Sequence, residues 1–144
     1  PRILKWCKLL MLSNAQTRKI RYLSENRGAL LNADMALADL KIHMASGFFD
    51  ELFNCQKAIQ KAGNEPLDPL KEVGNRAEKL RDTELAPPPL LNGNELMNLG
   101  VKPGPPVGAA ARELYYLQLN EEITNRRQAV EWVKNRIQSP ESDV

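Results

Sequence analysis

The chain has 144 residues and 16.2 kDa, enough for one ordinary domain or two small helical units, and its 20 Lys plus Arg against 18 Asp plus Glu leave a formal charge of only +2. No whole-chain excess of charge therefore demands a nucleic-acid or membrane partner. Apolar runs of a few residues at most provide neither a membrane span of about 20 residues nor a secretory h-region, so an intracellular protein, cytoplasmic or organellar, is expected. Two cysteines, Cys7 and Cys55, and a single histidine, His43, speak against a disulfide framework and against a Cys/His metal site.

Charge is distributed unevenly along the chain. Residues 1–31 hold seven basic side chains (Arg2, Lys5, Lys8, Arg18, Lys19, Arg21, Arg27) and one acid, Glu25, whereas residues 32–144 are near neutral or mildly acidic. Ile3, Leu4, Trp6, Cys7, Leu9, Leu10 and Met11 have the look of a buried helix with no ordinary start before it, and the chain reads as part of a longer protein. Ser13-Asn14 is an N-cap candidate for a helix of about 15 residues whose polar face carries Arg18, Lys19 and Arg21. Helical spacing continues from Ala33 to about Ala45 and breaks at Ser46-Gly47. It resumes through Phe48, Phe49, Leu52, Phe53 and Ile59 to a left-handed cap at Gly63-Asn64. Pro66 and Pro69 open a further helix that fades by Thr83.

Pro87-Pro88-Pro89 is a stiff extended spacer that no helix accommodates. It divides a basic helical body, residues 1–86, from a compact helical tail, residues 87–144. In the tail the pattern predicts a short helix over 94–99, a tight turn over 100–105 and a helix from Pro106 to about Asn120. A last helix, capped by Thr124, is ended by Pro140 and a polar tail. Period-two alternation is nearly absent, so the expected fold is all-α, a multi-helix array ending in a helix-turn-helix unit of helix-hairpin-helix type.

The most informative stretch is Leu99-Gly-Val-Lys-Pro-Gly-Pro-Pro-Val-Gly-Ala-Ala-Ala. Its glycines bring the start of a helix to a tight turn, and helix N-termini present unpaired N–H groups and partial positive charge that hold phosphate. Lys102 adds a direct ionic contact, Gly104 and Gly108 permit close approach of a nucleic-acid backbone, and the amides of Val107, Gly108 and Ala109 are the candidate donors. The opposing reading is an ordinary Gly-Pro chain reversal, since the prolines donate no N–H. Arg126 and Arg127 on the last helix are further candidates for RNA contact, with pairing to Glu122 or Glu131 as the alternative. Arg18, Lys19 and Arg21 are read either as an RNA-backbone footprint or as a solvated helix face. Trp6 and Trp132 are expected in the core rather than as base-stacking platforms, and His43 and both cysteines in core or partly buried positions.

Pro89-Leu-Leu-Asn-Gly-Asn-Glu-Leu-Met-Asn-Leu-Gly-Val-Lys-Pro-Gly-Pro-Pro-Val-Gly, with Arg112-Glu-Leu, Gln118-Leu, Glu122-Ile-Thr-Asn and Ala129-Val-Glu-Trp-Val after it, resembles the C-terminal region of CCA-adding tRNA nucleotidyltransferases and the related bacterial poly(A) polymerases. Their pattern is approximately L-x-G-x-D-L-x-x-x-G-I-x-P-G-P-x-I-G, and Gly93, Leu96, Gly100, Pro103, Gly104, Pro105 and Gly108 match it. Glu95 replaces the usual Asp, and Glu121 stands where a glycine is more common. The likeness is dense from about 89 to 134 and loose over 1–86, where Leu10-Met-Leu-Ser-Asn-Ala is similar to a segment of the family's body region.

What the resemblance implies is an all-helical region that binds tRNA or structured RNA and positions its 3′ end. The nucleotidyltransferase or poly(A) polymerase head would act with Mg²⁺ and ATP or CTP. Such a head needs a Gly-Ser and an Asp-x-Asp pair, because closely spaced carboxylates must hold the metal ions; neither occurs in this sequence. The nearest approach, Glu141-Ser142-Asp143, sits in the polar tail. Two rival expectations are a helical protein-interaction or oligomerisation module and a duplex-DNA-binding helix-hairpin-helix module; the oligomeric state is not legible.

Overall fold

A computed structural model describes residues 2–138, so Pro140 and Glu141-Ser142-Asp143 lie outside the described residues. All regular structure among the described residues is helical, as the absence of period-two patterning predicted: α1 (Arg2–Leu9), α2 (Asn14–Glu25), a 3-10 turn (Ala29–Leu31), α3 (Leu37–Ala45), α4 (Phe49–Ala62), α5 (Asp68–Leu80), α6 (Gly93–Asn98), α7 (Pro105–Leu119) and α8 (Arg126–Gln138).

Local chemistry sets these limits. Ser13 caps α2 through a reciprocal box in which its hydroxyl accepts from Gln16 N–H and its own N–H donates to Gln16 Oε1. The third helix starts at Leu37 rather than Ala33, because Asn32 Oδ1 accepts from Asp34 N–H at 3.1 Å and holds a local turn there. At the end of α4 it is Asn64, at φ 51°, that turns left-handed, while Gly63 stays helical. The last helix is capped by Asn125, not Thr124. Asn125 Oδ1 accepts from Gln128 N–H at 3.0 Å, and the Thr124 N–H donates to Gln128 Oε1 at 2.9 Å.

The same C-terminal device recurs on α1, α4, α6 and α7. Two backbone bonds close each end across a left-handed residue, which is Met11, Asn64, Gly100 and Glu121 in turn. Glu121, at φ 64°, makes this turn without a glycine.

The chain divides into two compact units, Pro1–Met35 with Asp39–Leu85, and Ala36–Ala38 with Ala86–Val144. In the first, Leu30, Met35, Leu40, Leu52, Leu70, Val73 and Ala77 form the core, with Tyr22, Phe49 and Phe53 packed against it. Gly74 lets α5 close on Phe53, whose ring atoms lie 3.2 Å from where a Cβ would stand. The Arg76 guanidinium donates to the carbonyls of Ala33 and Met35, at 2.5 and 2.7 Å, and so holds the non-helical segment before α3. In the second unit Leu91, Leu96, Ala110, Leu114, Ile123, Ala129 and Val133 are the core, and Trp132 packs on it under the Arg136 guanidinium, 5.4 Å from the ring centroid. The prolines before α6 are pinned along α7. Pro87 O accepts from the Tyr115 hydroxyl at 3.1 Å, and Pro88 O from Gln118 Nε2 at 2.9 Å.

Two expectations about burial fail, those for the first helix and for Cys55, while His43 and Cys7 are placed as expected. Among the described side chains of α1 only Cys7 is buried, whereas Trp6 and Leu9, and Leu10 and Met11 just beyond the helix, are exposed. Cys55 is exposed on α4 rather than buried. His43 is half-buried, with Nδ1 2.8 Å from the Tyr22 hydroxyl, and burial lowers its pKa against the raising influence of Asp39.

Candidate nucleic-acid interface

The predicted phosphate-binding turn joins α6 to α7. Asn92 starts α6 with a second reciprocal box: its Oδ1 accepts from Glu95 N–H at 3.0 Å, and its N–H donates to Glu95 Oε2 at 2.7 Å. Leu96, fully buried, anchors the helix to the core. The chain leaves α6 through Gly100 at φ 107°, passes Val101-Lys102-Pro103, and enters α7 through Gly104 at φ 97°, ψ −145°. That second conformation is essentially reserved for glycine. The two helices pack directly, with Val107 Cγ1 3.5 Å from the Cβ position of Gly93.

At the start of α7, Pro105 and Pro106 have no N–H to offer, and the first amide, that of Val107, is directed at Gly104 O at 3.2 Å. The backbone's own donors are therefore fewer than in an ordinary helix N-terminus. Cationic side chains supplement them. Lys102 is exposed in the turn, and Arg112, exposed on α7, folds back so that its Nη1 lies 3.5 Å from the Cβ position of Gly108. Neither is in an ion pair among the described residues. The first turn of α7 contains no acid to offset the positive end of its dipole, and the Arg112 guanidinium lies beside Gly108, the fourth residue of the helix. Ala109 is half-buried on the same turn.

Arg112 was not singled out as a binding residue from the sequence. A usable signal exists: it follows Gly108 by four residues, and helical side chains tilt toward the N-terminus, so a long cation there covers the glycine one turn back.

Arg126 is engaged elsewhere. It donates to Glu95 Oε1 at 2.5 Å and to Leu90 O at 3.3 Å, tying the start of α8 to α6. Its partner is neither Glu122 nor Glu131, the acids nearest in sequence. The Arg126 guanidinium, followed by the Asn92 N–H, holds the Glu95 carboxyl below its ordinary pKa. Arg127, the next residue, is exposed. In the other unit, Lys19 pairs with Glu51 at 2.5 Å and Arg21 with Glu25 at 2.8 Å. Arg18 is exposed without an ion pair among the described residues. The α2 cations are thus mostly compensated, whereas in the second unit Lys102, Arg112, Arg127 and Lys134 are exposed without an ion pair among the described residues.

Among the described residues no three His, Cys, Asp or Glu side chains converge on a point where they could hold a metal ion. None of the described helices is long and apolar enough to cross a membrane. Compared with protein-family models, with curated proteins and with solved structures, the chain matches none.

Proposed function

We propose that the chain is an RNA-binding region of a tRNA nucleotidyltransferase or poly(A) polymerase-like enzyme, and that its work is to hold the acceptor side of a tRNA so that the 3′ end is presented for nucleotide addition. The observation that carries this reading is the α6–α7 hairpin. There a glycine-only backbone angle at Gly104 begins a 15-residue helix, exposed Lys102 stands in the turn before it, and the Arg112 guanidinium lies beside Gly108 on the helix, neither cation in an ion pair among the described residues. A phosphate seated there would neutralise both the guanidinium and the helix end, two positive groups that otherwise repel. Contacts of this kind position a nucleic acid without reading base edges. RNA helices are recognised largely through shape and backbone, which fits a site built from a turn and two side chains.

Binding of fluorescent tRNA, duplex RNA and duplex DNA across a salt series tests the reading, with the Lys102→Glu/Arg112→Glu double variant beside the unsubstituted chain. Preference for tRNA is expected, with affinity falling steeply as salt rises, and the double variant should bind more weakly with a slope reduced by about 2. Absence of binding at low salt overturns the proposal. Equal affinity for duplex DNA replaces it with a DNA-binding helix-hairpin-helix.

A further inference from the structure

The first unit holds a small cavity, between α4 and α5, that the RNA reading does not use. Phe53, Lys57, Leu67, Leu70 and Lys71 line it, and its volume is about 120 Å³. Phe53 and Lys57 stand one turn apart on α4, and Leu67, at the start of α5, precedes Leu70 and Lys71 by three and four residues, so each wall is a single helical face. The walls are held in place from behind. The Phe53 ring lies 3.2 Å from the Cβ position of Gly74, and its centroid is 6.1 Å from that of Phe49. Gln60, buried on α4, closes the loop that presents Leu67: its carbonyl accepts from Glu65 N–H at 2.9 Å, and its Nε2 donates to Pro66 O at 3.4 Å. A cavity with fixed walls loses little freedom when it is filled.

Charge and size define the ligand. No acid lines the cavity. Lys57 is exposed with no hydrogen bond or ion pair among the described residues. Lys71 pairs only with Asp68, at 3.0 Å and with both side chains exposed, where such a pair is worth little. Two lysines and one aspartate therefore leave one positive charge beside an apolar floor of Phe53, Leu67 and Leu70. A nucleobase would bring ring nitrogens and carbonyls that this floor cannot pair. A fused purine also exceeds the space, since an engineered cavity of about 150 Å³ takes benzene. One apolar ring or branched alkyl group bearing a single carboxylate satisfies both the floor and the charge. We infer that the cavity is a binding site for a small apolar monocarboxylate, with Phe53, Leu67 and Leu70 holding its body and Lys57 and Lys71 its carboxylate.

This site does not depend on RNA binding at the α6–α7 hairpin and is tested separately. Backbone amide NMR of the unsubstituted chain is followed during titration with phenylacetate. Neutral phenylacetamide, cationic phenethylamine and uridine monophosphate are the comparison ligands.

Phenylacetate is expected to saturate with a dissociation constant of about 1 mM, the range open to a ligand of its size, and to move the amides of Lys57, Leu67 and Lys71 together. Phenylacetamide should bind at least about fivefold more weakly, and phenethylamine and uridine monophosphate should leave these amides unmoved. Lys57→Gln should weaken phenylacetate by about fivefold, Lys57→Arg should retain it, and Lys57→Glu should transfer the preference to phenethylamine. Lys57 is exposed, so circular dichroism of the three variants should be unchanged. Absent or unsaturable shifts, or shifts spread over the surface lysines and arginines at large, overturn the inference. So does equal binding of phenylacetamide, since the lysines then select nothing, and so does tighter binding of uridine monophosphate at the same amides, which would make the cavity a nucleotide site.

Discussion

Met11 and Gly104 both stand at positive φ, with opposite consequences for substitution. The left-handed conformation costs an L-residue about 1–2 kcal/mol, of which glycine's greater freedom in the unfolded chain returns about 0.5–1. Because the Met11 side chain is exposed and closes its turn through backbone bonds alone, Met11→Gly is expected to raise stability by about 0.5–1 kcal/mol. At Gly104 the space is open but the backbone angles are not, since nothing lies within 4 Å of a Cβ built there. Gly104→Ala is therefore expected to cost about 1–3 kcal/mol through conformational strain alone. Urea midpoints of the two variants check both signs, and a neutral Gly104→Ala would show that the turn relaxes.

The short helix α6 depends on its ends. Six residues are too few to be stable by propensity, and Glu95 serves it twice, by closing the Asn92 box and by receiving Arg126 from α8. The Glu95 carboxylate makes both contacts at once, one through each oxygen. Its depressed pKa fixes the sign of the pH effect. A carboxyl whose folded pKa is lowered contributes stability that is fully present above its unfolded value and is lost as pH falls through the folded one. Glu95→Gln is expected to lower the melting temperature near neutrality and to show a shrinking deficit as pH drops below the ordinary carboxylate range, where the parent loses the same charge. Melting curves of both proteins at pH 7 and pH 3 provide the comparison, and a deficit independent of pH would mean that shape rather than charge holds α6.

At the scale of the whole molecule, the two units have separate cores. Leu96, fully buried in the second, leaves a cavity when truncated, and Leu96→Ala is expected to cost about 2–5 kcal/mol. Hydrogen exchange followed residue by residue should locate the lost protection in residues 86–138, with α4 and α5 retaining theirs. Uniform loss along the chain would make the molecule a single cooperative unit.

Helical class, the N-cap at Ser13, the break at Gly47 and the short helix, turn and helix around Gly100 to Gly104 were legible in the sequence, because each rests on neighbours within a few residues: apolar period, cap chemistry, proline and glycine geometry. The same holds for the candidate turn, whose residues are adjacent in the chain. Partnerships across the fold were not legible. That Arg126 serves Glu95 and Lys19 serves Glu51, while Lys102 and Arg112 keep no ion pair among the described residues, depends on which helices meet. Periodicity identified an apolar face on α1, yet whether that face is covered is a property of its neighbours. The sequence by itself determined the helical elements and most of their ends, since these depend on local sterics and hydrogen bonding, whereas the start of α3 is held by Arg76 from α5. Tertiary structure alone decided which charges are spent on one another and which apolar surface stays open, since both depend on groups brought together from distant parts of the chain.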